Sequence, residues 1–129
     1  MPGESRSFAS VSRIQSRIQR LLEPALSAKP FWVKAELSSV SFRNGSMYCD
    51  LVELENGRVK AKLRCTVWRS HLSRMKRRLE EASLGTELLE DGNEVGLCVT
   101  IEYHELYGLS VTAKDIDPSV MLGELERRR

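Results

Sequence analysis

The sequence predicts an all-β domain with flanking helices, built as a small five-stranded Greek-key barrel. Three observations carry this. Apolar and polar residues alternate in five segments of strand length, at 31–42, 47–54, 58–69, 94–103 and 109–116. Two of the joints are Asn-Gly turns, Asn44-Gly45 and Asn56-Gly57, the strongest short signal for a tight hairpin. Helical spacing occurs once before the first strand and once between the third and fourth. A chain of 129 residues is long enough for one such domain with a real core and short of two.

In chain order, residues 1–11 are polar and read as a flexible leader. Ser12 then opens a helix, since Ser12-Arg13-Ile14-Gln15 has the form of a capping box. Ile14, Ile18, Leu21 and Leu22 share one face of it, and Arg13, Arg17 and Arg20 another, read as solvated. Pro30 ends any helical tendency. The first strand, Phe31 to Phe42, puts Phe31, Val33, Ala35 and Leu37 on one parity and Trp32, Lys34 and Glu36 on the other. The Asn44-Gly45 turn leads to the second strand, Met47 to Leu54, whose face assignment is less clear. Asn56-Gly57 leads to the third, Arg58 to Arg69.

Ser70 is placed to cap a second helix, with Leu72, Met75 and Leu79 at three- and four-residue steps. Ser83 to Asp91 is a loop region. The fourth strand, Glu94 to Tyr103, turns Val95, Leu97, Val99 and Ile101 to one face. A short loop, His104 to Gly108, joins it to the fifth, Leu109 to Ile116, with Leu109, Val111 and Ala113 inward. Asp117-Pro118 breaks that strand, and residues 119–129 begin another helix. Five strands in this order, with a helix between the third and fourth, is the order of an OB-fold; the domain is placed at residues 12–118.

The net charge is only +2, below what a dedicated nucleic-acid domain usually carries. Its distribution says more. Arg58 to Arg78 holds nine Lys or Arg and no acid, whereas Leu79 to Glu105 holds eight acids and no Lys or Arg. No run approaches the length of a membrane span, and the start has no signal-peptide core, so no membrane partner is expected. Cys49, Cys65 and Cys98 are widely spaced in strand-like segments without a CxxC pair. They read as buried reduced side chains, and a reducing cytoplasm is the expected location.

Catalytic chemistry finds no purchase. His71 and His104, read as exposed turn histidines, have no nucleophile or metal-ligand partner at a workable spacing. Glu80-Glu81, Glu90-Asp91 and Glu94 form no metal-binding pattern and read as solvated charges. Phosphate-binding glycine motifs are missing from the sequence. No catalytic residue, metal or cofactor is expected.

The basic stretch is different. Val59, Ala61, Leu63, Cys65 and Val67 alternate with Arg58, Lys60, Lys62, Arg64, Thr66 and Trp68. One face fits a core. The other carries a row of cations with no acid among them and ends in a tryptophan. Such a row repels itself unless a polyanion binds, and an aromatic plate within it can stack a base. Lys60, Lys62, Arg64, Trp68 and Arg69 are therefore the candidate nucleic-acid contacts. Lys34, Phe42 and Arg43 flank them on the neighbouring strand and hairpin. By analogy of fold, the groove of an OB-fold crosses the second and third strands.

Several blocks together resemble the N-terminal domain of the exodeoxyribonuclease VII large subunit. Phe31-Trp32-Val33-Lys34-Ala35-Glu36-Leu37 is similar to that family's first strand, and Leu63-Arg64-Cys65-Thr66-Val67-Trp68-Arg69 to its third. Tyr103 to Ser110 and Lys114 to Pro118 resemble its last hairpin, and Leu122 to Glu126 the helix leading out of the domain. The sequence departs from the family at Arg43-Asn44-Gly45-Ser46 and after Arg69, where helix and loop are longer and more charged.

The resemblance implies an OB-fold that grips single-stranded DNA for a nuclease which trims it to oligonucleotides. It implies a nuclease domain after residue 129, entered by the helix at 119–129, and a small subunit bound through that further part. It points most directly to Trp68 and Arg69 as DNA contacts, with Arg64 next. The alternatives left open are an RNA-binding OB domain and a protein-docking domain whose basic face meets the acidic 79–105 region of another copy or the nuclease domain.

Overall fold

The computed structural model describes residues 5–127. Met1 to Glu4 of the expected leader and Arg128-Arg129 of the expected last helix lie outside the described residues. In order come α1 (Val11–Leu26), β1 (Phe31–Arg43), β2 (Ser46–Glu55), β3 (Arg58–Val67), α2 (Arg69–Glu81), a single 3-10 turn (Thr86–Leu88), β4 (Glu94–His104), β5 (Gly108–Ile116) and α3 (Pro118–Arg127). The strands close into a barrel in the order β1-β2-β3-β5-β4. All pairings are antiparallel except β3 with β5, which run parallel through Cys65–Val111 and Thr66–Thr112. This is the predicted all-β barrel of the OB type, with a helix before it and another between its third and fourth strands.

Both Asn-Gly hairpins form as expected. Asn44 and Gly45 have φ of 53° and 81°, and Asn56 and Gly57 have 54° and 77°. Positive φ at both central residues is what a two-residue hairpin loop needs to match strand twist, and Asn and Gly tolerate it best.

Three bulges break the alternation that the sequence suggests, one of them at Lys114 in β5, between the Cys98–Asp115 and Val99–Ala113 pairs. In β1, Ser38 pairs with Asp50 but Ser41 with Tyr48, so one extra residue is inserted beside Ser39, whose φ is 52°. The Val40 N–H donates to the Asp91 carboxylate at 2.7 Å, which ties the bulge to the loop before β4. Asp91 is thus a structural partner of β1 and not a free loop charge. In β3, Ala61 pairs with Glu53 and Val59 with Leu54, leaving Lys60 as the extra residue.

The core is the barrel interior. Leu37, Met47, Cys49, Leu51, Cys65, Val67, Leu97, Val99, Val111 and Ala113 fill it. Helix α2 closes one end with Leu72, Met75 and Leu79, the three positions its spacing predicts. The core reading of β3 holds only for its second half. Val59 is 58% exposed, Leu63 is 48% exposed and Ala61 is also exposed, because this end of the β2–β3 ribbon parts from β1 and has nothing above it. Leu109, expected inward, is likewise exposed at the start of β5.

The helix starts differ from expectation. Ser10, not Ser12, caps α1, accepting the Arg13 N–H on its hydroxyl at 3.2 Å. Helix α2 begins at Arg69 rather than after Ser70. Trp68 is its extended N-cap residue, and the hydroxyl of Ser46, across the hairpin, accepts the Arg69 N–H at 3.1 Å. Helix α1 buries no residue fully, and Ile14, Ile18 and Leu21 stay exposed. It meets the barrel at β4 and the loop after it, where the Gln15 side-chain amide donates to the Glu105 carbonyl. Helix α3 opens with Asp117 as cap and Pro118 in the first turn, where a missing N–H costs nothing.

Candidate nucleic-acid interface

Cross-strand partners point to the same side of a sheet, so the register sorts the predicted residues by face. Cys49–Cys65 and Met47–Val67 pair on the inner side, where all four are buried, and Leu51–Leu63 continues that side to the open end, where Leu63 is exposed. Asp50–Arg64 and Tyr48–Thr66 therefore pair on the outer side, as does Val52–Lys62, with Val52 itself covered at 4% exposed. Trp68, two residues after Thr66 and still extended, continues the outer row. On β1 the Ser39 bulge shifts the phase, so that Ser41 and Arg43 are outward and Phe42, partner of the buried Met47, is turned away. Phe42 instead sits beneath the Lys76 ammonium of α2, 5.8 Å from its ring centre.

An Arg43–Tyr48–Trp68 group results. The Arg43 guanidinium lies 4.4 Å from the centre of the Tyr48 ring. Tyr48 and Trp68 meet nearly perpendicular, at 84° with centroids 6.2 Å apart. A perpendicular contact leaves at least one indole face uncovered by Tyr48, and Trp68 is 49% exposed. Arg64 is exposed on the same side and has no ion pair among the described residues. Together these side chains offer an aromatic plate between two guanidinium groups, a setting in which a base can stack and phosphates can be held.

Tyr48 is the residue the sequence did not single out. The signal existed: Met47, Cys49 and Leu51 form an inward parity that leaves Tyr48 outward. Val52 and Leu54, both apolar and on the outward parity, obscured it.

The other cations are less free than the sequence suggests. β3 carries no acid, but β2 supplies them: Lys60 lies 3.8 Å from Glu55 and Lys62 3.8 Å from Asp50. The Lys60–Glu55 contact is solvent-exposed and of small energetic weight, while Lys62 meets a partly buried Asp50. Beyond the bulge, Arg58 pairs with Glu55 and leaves the face of Lys62 and Arg64. Lys34 is outward on β1, opposite Gly96, and borders the same cavity of about 190 Å³ as Lys62.

Arg69 has a structural task. Its Nε and Nη2 both donate to the Asn44 carbonyl, at 3.2 and 2.8 Å, and its side chain packs against Gly45. A Cβ on Gly45 would fall 2.7 Å from Arg69 Nε. The guanidinium thus clamps the β1–β2 turn that carries Arg43, with further N–H donors left over.

Neither histidine is a free turn residue. His71 lies within α2, partly buried, with its Nδ1 out of water and unpartnered. His104 ends β4, accepts the Leu106 N–H on Nδ1 at 3.0 Å and stacks on Tyr107 at 4.7 Å. Cys49 and Cys65 are buried free thiols paired across β2 and β3; a hydrogen bond between them and burial push the Cys65 thiol far above the ordinary range. No helix among the described residues is long and apolar enough to cross a membrane, and none of their His, Cys, Asp and Glu side chains gather in a group of three that could hold a metal ion.

Comparison with known proteins bears on the family of the fold. A family model described as an OB-fold nucleic acid binding domain matches residues 9–117. The large subunit of exodeoxyribonuclease 7 from Deinococcus radiodurans is 34% identical over 102 residues, covering 75% of this chain. The chain spans 24% of the length of that relative. Among solved structures, the Stn1–Ten1 complex of S. pombe superposes with a TM-score of 0.48 at 12% identity, covering 78% of this chain and 68% of the other. With a family match over residues 9–117 and a closed barrel in the strand order of that fold, the chain belongs to the OB-fold nucleic acid binding domains and is related to the N-terminal OB domain of the exodeoxyribonuclease VII large subunit.

Proposed function

We propose that this domain holds single-stranded DNA across the outer face of β2 and β3 and presents it to a nuclease domain that cuts it to oligonucleotides. The observation that carries the proposal is the Arg43–Tyr48–Trp68 group with the unpaired Arg64 beside it. Trp68 stacks one base. Arg43, Arg64 and Lys62 neutralise phosphates, and Arg69 keeps the turn under Arg43 in place. The kinship with an exodeoxyribonuclease 7 large subunit supplies the substrate class and the nuclease. In this reading the domain itself is non-catalytic and needs no cofactor, residues 119–129 lead toward the nuclease domain, the small subunit binds that further part, and the protein works in the cytoplasm.

Stacking accepts any base and phosphates carry no code, so sequence preference is weak. Binding of a labelled oligo-dT, followed by anisotropy, falls with salt at a logarithmic slope of about −2, or roughly −0.7 for each of three phosphates. A salt-independent affinity, or none in the folded domain, contradicts the proposal. Matched DNA and RNA oligomers in competition separate a DNA reader from an RNA reader.

A docking role has its own support in the open apolar side of α1 at Ile14, Ile18 and Leu21. That side is distinct from the β2–β3 face, so docking there is compatible with DNA binding. Self-association through the basic face, by contrast, would appear as concentration-dependent mass that DNA dissolves.

A further inference from the structure

We propose that Trp32, with Lys34 beside it, is the far end of the single-strand path: a second position where a base stacks, with Lys34 on the adjoining phosphate. This rests on the nucleic-acid reading above. Trp32 is 57% exposed, more than Trp68, and no contact of the Trp68 group uses it. Exposure alone assigns nothing, since single exposed hydrophobic residues are ordinary on a surface; the position of Trp32 does.

What covers it follows from continuity. Trp32 and Lys34 share the outward parity of β1 with Glu36, whose partner on β2 is Val52, and Val52 in turn pairs with Lys62. Lys34 and Lys62 sit at the rim of one cavity, of about 190 Å³, where the β2–β3 ribbon parts from β1 and inward residues such as Val33, Leu51 and Val111 form the walls. Trp32 and Lys34 border another, of about 220 Å³, closed by Gly96 and by Val120 of α3. Gly96 lets α3 come this close: a Cβ there would lie 2.8 Å from a Val120 methyl. Of the acids nearby, Asp117 is occupied in capping α3 through both the N–H and the hydroxyl of Ser119, while Glu53 borders the first cavity and Glu36 follows Lys34 on the same parity. Cations and aromatics thus run from Trp68 and Tyr48 through Arg64, Lys62 and Lys34 to Trp32. Trp32 precedes Arg43 by eleven positions on one strand. At a rise of about 3.3 Å per residue, less the bulge, the two ends lie on the order of 30 Å apart along the strand. That length suits the roughly 4–16 nucleotides an OB-fold holds.

The test uses the two tryptophans as separate reporters. In the Trp68→Phe protein the emission comes from Trp32 alone. It changes on saturation with an oligo-dT of about 12 residues and much less with one of about 4. Trp32→Ala weakens binding of the longer oligomer by about 5- to 100-fold and leaves the shorter one nearly unchanged. Lys34→Gln, which leaves the fold alone, lowers the salt slope by about 0.7 for the longer oligomer only. If anisotropy reports the longer oligomer bound while Trp32 emission and the Trp32→Ala affinity stay at their reference values, the second position is overturned and the Trp68 site stands. If no oligomer binds, both fall.

Discussion

At the scale of single residues, the indole of Trp68 and the guanidinium of Arg69 are neighbours with different work. Trp68 presents an open ring face, so Trp68→Ala removes about 1–3 kcal/mol of binding, the usual worth of a stacked base, with little change in stability. Arg69 commits its Nε and one Nη2 donor to the Asn44 carbonyl. Arg69→Ala lowers unfolding stability by about 1 kcal/mol and weakens binding only through the loosened turn, which denaturant melts and titrations measured side by side distinguish. Both residues were legible in the sequence as an aromatic-basic pair closing the third strand. Their division of labour was not, because a side chain that bonds a carbonyl 25 residues away leaves no trace in local pattern. Tyr48 was hidden for a related reason: strand parity identifies outward residues only where one parity is cleanly apolar, and β2 mixes both.

At the scale of elements, the bulges decide which residues reach the face. A strand alternates strictly only while its pairing is regular, and one inserted residue exchanges the two faces beyond it. Ser39 does this in β1, bringing Arg43 outward and turning Phe42 toward α2. Asp91 holds that bulge through the Val40 N–H. Asp91→Ala, which lies outside the interface, is therefore expected to lower oligo-dT affinity by letting Arg43 shift. Equal affinity in a folded Asp91→Ala protein would show that the bulge needs no anchor. The bulges were not legible, since Ser39, Lys60 and Lys114 carry no turn signature and arise from how strands curve around a barrel.

The helix starts show the same limit. Ser10 and Ser12 are equally good caps by type, and tertiary position selected Ser10. The cap of α3 carries a pH dependence. The hydroxyl and N–H of Ser119, in that order, hold the Asp117 carboxyl below the ordinary carboxylate range, helped by the charges of Arg78 and Lys34. A lowered native pKa adds stability that is complete above an ordinary aspartate pKa of about 3.9 and is lost as pH falls through the lowered value. Asp117→Asn should consequently narrow the stability difference between neutral and acid pH. Denaturant melts at both would show it, and an unchanged difference would mean the cap does not discriminate charge.

At the scale of the whole molecule, the fold was legible because each of its determinants is local. Two Asn-Gly turns, five strand-length segments and one helix between the third and fourth strands suffice to specify a barrel whose closure then follows. The near-zero net charge concealed the functional asymmetry. Acids concentrate in the 79–105 segment, while the β2–β3 face keeps Arg43, Arg64 and Lys62 around an aromatic pair. The apolar half of β3 was overestimated because the ribbon end leaves the barrel, and only the assembled molecule reveals what lies above a strand.

DNA binding on this face turns on a base stacking against Trp68. The most direct test is the emission of the Trp32→Phe protein, in which Trp68 is the remaining indole, titrated with oligo-dT at low and at high salt. Quenching saturates with bound DNA and moves to higher oligomer concentration as salt rises. Unchanged emission while DNA binding is seen by anisotropy would contradict it.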